Sequence, residues 1–216
     1  MTAPSREMPV DPAHAALLII DVQNYCAHRE GGAWRGLDDA AFAQRGGYLF
    51  RALREAVLPN LARLLAASRA AGIEVIYTVI ENLTRDGRDR SLDYKISGID
   101  VPPGSFDAQI PAEIAPAADE IVLRKASSDA FVSTNLDYLL RNLGVRTLII
   151  GGLLTDQCVE SAVRHACDLG YLVTLASDAC AALSCERHEQ ALAGLRGYCR
   201  QRRTTEILAE IAPPRR

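Results

Sequence analysis

Short apolar runs alternate with stretches of helical period along most of this chain. The first run, "AALLIID" (15 to 21), is continuous rather than alternating, as a strand buried on both faces of a parallel sheet requires, and it ends on the carboxylate of Asp21. From Ala52 to Ala71 the apolar positions Leu53, Val57, Leu61, Leu64 and Leu65 recur at helical spacing, with Gly72 as a stop. Pro59 interrupts this helix and is expected to kink or divide it. "IEVIYTVI" follows as a second strand.

Residues 81 to 118 break the pattern: they are rich in charge, Gly and Pro and hold no sustained period, as functional loops inside compact domains do. Alternation then resumes with "DEIVLRK" as a strand, "NLDYLLRNLG" as a helix, "VRTLIIGG" as a strand and a helix from about Asp156 to Leu169. "YLVTLASDA" and "ERHEQALAGLRGY" repeat the strand-then-helix order, and "TTEILAEI" reads as a last short strand. Strands separated by helices imply right-handed βαβ units. The expected fold is therefore α/β, a three-layer α/β/α sandwich around a mostly parallel sheet of about six strands, with ligands bound at the carboxyl ends of the strands.

Composition changes this picture little. With 216 residues, 49% hydrophobic and 24% charged, the chain fits one soluble domain, residues 1–216, with 1–13 and 211–216 as flexible tails. A net charge of −3 gives no basis for nucleic-acid binding, and the basic "RQRRTT" stretch is too short to alter that. No apolar stretch has the length of a signal peptide core or a membrane span, so a cytoplasmic location without membrane contact is the default. The six cysteines show no metal-ligand spacing and read as free thiols.

Candidate chemistry arises where the strands end. Asp21 closes the first strand, Lys125 the third, and Cys158 follows the fourth, so all three project from one edge of the sheet. Val159, Ala162, Val163, Ala166 and Cys167 form the buried stripe of the helix after strand four, and Cys158 lies beside that stripe in the first turn. With Thr155 as N-cap, the open N–H groups of that turn and the Lys125 ammonium favour a thiolate. The backbone N–H groups of Leu154 and Cys158 offer an oxyanion hole, worth about 3 kcal/mol per donor. Asp21 then takes the thiol proton and passes it to a leaving nitrogen. Taken singly, Cys158 is also a buried structural cysteine, Lys125 a strand-end lysine and Asp21 a turn cap.

The motifs "LLIIDVQN", "EIVLRKASSDAF", "LIIGGLLTDQCVESAV" and "DLGYLVTLASDA" resemble those of the isochorismatase-like cysteine hydrolases, over about residues 15 to 180. The resemblance implies an Asp-Lys-Cys triad at Asp21, Lys125 and Cys158 and a non-proline cis peptide between Leu153 and Leu154, aiming the second oxyanion donor. It further implies C–N hydrolysis of a small amide or ureide through a thioester, since members that cleave the isochorismate vinyl ether lack the cysteine. Nicotinamidases of this family carry a metal-binding Asp-x-His set that His14, His28, His165 and His188 do not form, so neither metal nor cofactor is expected. Substrates of the ureidoacrylate or N-carbamoyl kind and a homodimer or homotetramer follow from the same resemblance. Relatives more often carry aspartate at the position of His165.

Asn24, Tyr25 and Trp34 after the first strand, Glu81 in the loop, and Phe131 and Thr134 past Lys125 are the candidate pocket residues; each also has a packing or solvated-loop reading. Arg85, Arg88, Arg90 and Lys95 offer a guanidinium or ammonium to a substrate carboxylate. Cys26 is a possible pocket-wall residue, while Cys167, Cys180, Cys185 and Cys199 read as structural. Two other classes share these features: a thiol-based redox sensor or binding protein on the same fold, and an isochorismate- or nicotinamide-cleaving enzyme.

Overall fold

The computed structural model describes residues 5–212. Six parallel strands form one sheet in the order β3-β2-β1-β4-β5-β6. They are β1 (Ala15–Ile20), β2 (Glu74–Ile80), β3 (Ile121–Lys125), β4 (Thr147–Leu153), β5 (Leu172–Ala181) and β6 (Arg200–Arg202). All six residues of β1 are buried, because alternate side chains enter two different cores. Ala15, Leu17 and Ile19 pack with α2 (Asp39–Ala52), α3 (Leu58–Ala71) and α9 (Thr204–Ile211). Ala16, Leu18 and Ile20 pack with α5 (Ala130–Ser133), α6 (Leu136–Asn142) and α7 (Glu160–Asp168). These two layers of helix around the sheet make the three-layer sandwich that the alternation of elements implies.

The helix before β2 begins earlier than its apolar period suggests, at Asp39, where the Asp38 carboxylate caps the Ala41 N–H at 2.8 Å. A π-turn over Leu53–Val57 joins α2 to α3, and Pro59 follows it at a position where the hydrogen-bond register is already changing. The proline therefore divides the helix by one widened turn without ending it. Gly72, in the left-handed region at φ 68°, supplies the stop.

The last two elements differ from expectation. "TTEILAEI" is the helix α9, not a strand: Thr204, Ile207 and Ile211 bury one helical face, and the Glu206 carboxylate accepts the Arg203 N–H at 2.7 Å. The sixth strand is instead the charged triplet Arg200–Arg202 beside β5. Arg200 is almost fully buried there, and its guanidinium donates to Thr174 Oγ1 and to both carboxylate oxygens of Glu210. Parts of the segments expected to be flexible tails are ordered. Val10 is buried, with its N–H on Glu210 Oε2 at 3.1 Å, and Ile211 is a buried residue of α9, while 1–4 and 213–216 lie outside the described residues.

Residues 81–109 form a lobe that carries α4 (Leu92–Ile96) and the 3₁₀ turn Phe106–Ala108 and brings Tyr94 to the end of β3, while a second 3₁₀ turn, Ala112–Ile114, returns along α3, where Ile114 joins the first core and its carbonyl accepts the Tyr77 hydroxyl at 3.0 Å. No helix among the described residues is long and apolar enough to cross a membrane.

Candidate active site

Three strand ends bring Asp21, Lys125 and Cys158 together. Asp21 leaves β1 at φ 53°, and its N–H donates to Thr78 on β2 at 3.0 Å, which turns the carboxylate over the sheet edge. Lys125, the last residue of β3, is fully buried and reaches past β2 to place Nζ 2.8 Å from Asp21 Oδ2. The same ammonium lies 3.3 Å from Cys158 Sγ and donates to Ser127 O at 2.8 Å and Tyr94 Oη at 3.1 Å. Thr78 Oγ1 donates to Asp21 Oδ1 at 2.8 Å, fixing the carboxylate from its other side.

Cys158 stands in a π-turn, Thr155–Val159, that precedes α7, and the peptide bond Leu153–Leu154 ahead of it is cis. Gly152 makes this approach possible: at φ 130° it presses so closely on Ile20 that a Cβ there would meet Ile20 O at 2.1 Å. Within the turn the N–H groups of Gln157 and Val159 donate to Leu154 O. Thr155 is not the N-cap, which falls on Leu154; its hydroxyl is committed to His188 Nδ1 at 2.8 Å.

The thiol's ionisation differs from the thiolate expected of a helix N-terminus beside an ammonium. Burial, followed by the charge of Asp21 and a hydrogen bond to it, pushes Cys158 up to about 12, against the opposing pull of Lys125 and Tyr94. Lys125 is held above its usual range: burial alone would lower it, but Asp21 and the other groups around it prevail. The net pull on the thiol is therefore toward its neutral form, beside the ion pair of Asp21 and Lys125.

A cavity of about 640 Å³ opens onto this cluster and is lined by Asp21, Cys158, Leu154, Tyr25, Trp34 and Tyr94, among others. That volume suits a small molecule. The model of the isochorismatase domain matches residues 15–207. The chain belongs to the isochorismatase-like hydrolase family. A ureidoacrylate amidohydrolase from Enterobacter sp. (strain 638) is 31% identical over 204 residues, 82% of this chain and 80% of that protein. Among solved structures, an isochorismatase family protein from Desulfovibrio vulgaris subsp. vulgaris strain Hildenborough has a TM-score of 0.73 at 28% identity, covering 93% of this chain and 99% of that one. A cysteine hydrolase from Pseudomonas syringae pv. phaseolicola 1448A has a TM-score of 0.80 at 23% identity, covering 98% of each chain.

Of the pocket residues expected from sequence, this isochorismatase-like hydrolase brings Tyr25 and Trp34 to the cavity wall and four others elsewhere. Asn24 donates to Phe106 O at 3.1 Å, tying the lobe to α1 (Asn24–Ala27). Glu81 accepts the Gly104 N–H at 2.6 Å and pairs with Arg124 at 3.0 Å, which braces the lobe. Phe131 is buried in the second core, and Thr134 bonds Ala130 O and the Leu136 N–H between α5 and α6. Cys26 does line the cavity, and burial pushes its thiol up to about 12. Cys185, expected to be structural, is exposed. His165 pairs with Asp129 at 2.8 Å and contacts Phe131, away from this cavity.

Tyr94 was not among the expected residues. Ser91 caps α4 and so turns Tyr94 into the cavity, where its hydroxyl accepts from Lys125 and lies 3.8 Å from Cys158 Sγ. Because that contact holds the thiol pKa down, Tyr94→Phe is expected to raise it further and slow alkylation of Cys158 by iodoacetamide about tenfold at fixed pH. Peptide mass spectrometry after timed labelling measures this; an unchanged rate removes Tyr94 from the network.

Proposed function

We propose that this protein is a cysteine amidohydrolase that cleaves a C–N bond of a small amide or ureide, with Asp21, Lys125 and Cys158 as its catalytic residues. The observation that carries this reading is the buried cluster itself: a thiol, a carboxylate and an ammonium at three strand ends, opening onto one cavity. Asp21 Oδ2 takes the proton of Cys158 as Sγ attacks the carbonyl carbon. The carbonyl oxygen becomes an oxyanion between the N–H groups of Leu154 and Cys158, at the turn that carries the nucleophile. As the tetrahedral intermediate collapses, the C–N bond breaks and the nitrogen leaves as ammonia or an amine with the proton from Asp21. Water then attacks the thioester, giving its proton to Asp21, and Cys158 leaves as the thiol. Lys125 stays charged throughout and offsets the negative charge as it moves from carboxylate to sulfur and back.

N-carbamoyl and ureido compounds are the favoured substrates, a choice supported by the ureidoacrylate amidohydrolase relative. The test is a panel of ureides, nicotinamide and isochorismate, read by ammonia or product release and by intact mass. Ureide turnover with a transient mass increase of one acyl group on Cys158 is the expected result. Turnover of nicotinamide or isochorismate alone, or oxidation adducts without turnover of any amide, would replace it with one of the other readings.

A further inference from the structure

The sequence places several cations in the lobe over the sheet, yet the structure commits most of them to protein partners. Arg88 pairs with Asp86 at 2.9 Å, and Arg90 donates to Gly87 O and Ile99 O at 2.9 Å each. Lys95 donates to Arg88 O at 2.9 Å. Near the entrance, Arg35 is tied to Asp107 at 3.1 Å, and Arg124 to Glu81. Arg85, the remaining candidate, is not part of the cavity wall.

The one arginine that lines the catalytic cavity comes instead from α2. Arg45 is exposed and, among the described residues, takes part in no ion pair and no side-chain hydrogen bond. Its helical neighbours at three and four residues are Ala41, Phe42, Tyr48 and Leu49, none of which is a carboxylate, so the helix supplies no partner by itself. Deeper in the cavity the charges of Asp21 and Lys125 cancel as a pair. Trp34 spends its indole N–H on Cys26 O at 2.9 Å and offers the cavity an apolar surface. The titratable groups facing the space are thus Arg45, Asp93, Tyr25, Tyr94 and Cys26 besides the catalytic cluster, and Arg45 alone is a cation without a counter-ion.

We infer that Arg45 is the anchor for a carboxylate on the substrate, so that the ureide or amide this cavity takes is an acid whose carbonyl end reaches Cys158 while its carboxylate stays at the guanidinium. This rests on the amidohydrolase reading and narrows its substrate class. A planar guanidinium with parallel N–H groups matches a carboxylate in two-point contact, and this cation selects acids against neutral analogues of the same length.

The experiment measures binding by calorimetry in the Cys158→Ala protein, so it does not depend on turnover. The probes are N-carbamoylglycine, N-carbamoyl-β-alanine and N-carbamoyl-4-aminobutyrate, each beside its primary amide, together with (2-aminoethyl)urea as a cationic counterpart. At least one acid is expected to bind about tenfold more tightly than its amide, a ratio that falls as salt rises. In Arg45→Gln this ratio should approach one, and Arg45→Lys should recover part of it by charge without the fork. An equal affinity for acid and amide, a preference for the cation, no binding of any probe, or a ratio unmoved by Arg45→Gln would each overturn the assignment. The amidohydrolase reading fails separately, if the intact Cys158 protein forms no acyl adduct and releases no ammonia from any ureide.

Discussion

Cys158→Ala is expected to lower turnover by at least about 10⁵-fold, because the covalent route disappears and only binding and the backbone donors remain. The fold should survive the change. Cys158 is a small side chain within the second core, and its removal leaves the Asp21–Lys125 pair at 2.8 Å with its further contacts to Thr78, Tyr94 and Ser127. The far-UV spectrum and the denaturant midpoint therefore serve as controls beside the activity. Residual turnover within tenfold of the parent would end the proposal that Cys158 is the nucleophile.

Asp21→Asn should separate two properties that nucleophile activation ordinarily couples. The carboxylate raises the Cys158 pKa while Lys125 lowers it, so removing the carboxylate leaves the ammonium unopposed and the pKa falls. More of the thiol is then ionised at pH 8, and iodoacetamide should modify Cys158 faster than in the parent. Turnover should nonetheless drop on the order of 10⁴-fold, since an amide side chain cannot take the thiol proton or deliver it to the leaving nitrogen. Asparagine tolerates the positive φ that Asp21 adopts, which keeps the backbone contribution small. Slower labelling together with lost turnover would mean that Asp21 favours the thiolate, contrary to the charges around it.

How far the sequence speaks depends on how local each determinant is. "AALLIID" declares a strand buried on both sides because every residue in it is apolar until the carboxylate, and the same logic places Lys125 and Cys158 at strand ends. β6 is silent by that logic: Arg200 is buried only because Glu210 and Thr174, from other elements, receive its guanidinium. α9 resembles a strand in sequence because "TTEILAEI" is rich in residues that also favour strands, while the helical spacing of Thr204, Ile207 and Ile211 is spread over only two turns. Tyr94 sits in a segment without period, where the Ser91 cap was the one local signal of a helix. The upward pull on the Cys158 pKa is not legible in the sequence for another reason. Its chief cause is loss of water, which depends on the lobe and the sheet closing over the thiol together.

The position of Lys125 has a consequence for how this molecule loses function. Its ammonium is supplied by the outermost strand, which is bonded to a neighbour on one side only, and it spans two strand spacings, about 10 Å, to meet the carboxylate of β1. Peeling of such an edge requires far less free energy than global unfolding, because both cores and the other five strands remain assembled. A molecule opened in this way keeps nearly all of its secondary structure but strands a carboxylate and a thiol without their cation. Catalytic competence and bulk stability are thus expected to separate, with mild denaturant or heat abolishing turnover while the far-UV spectrum still registers a native fold.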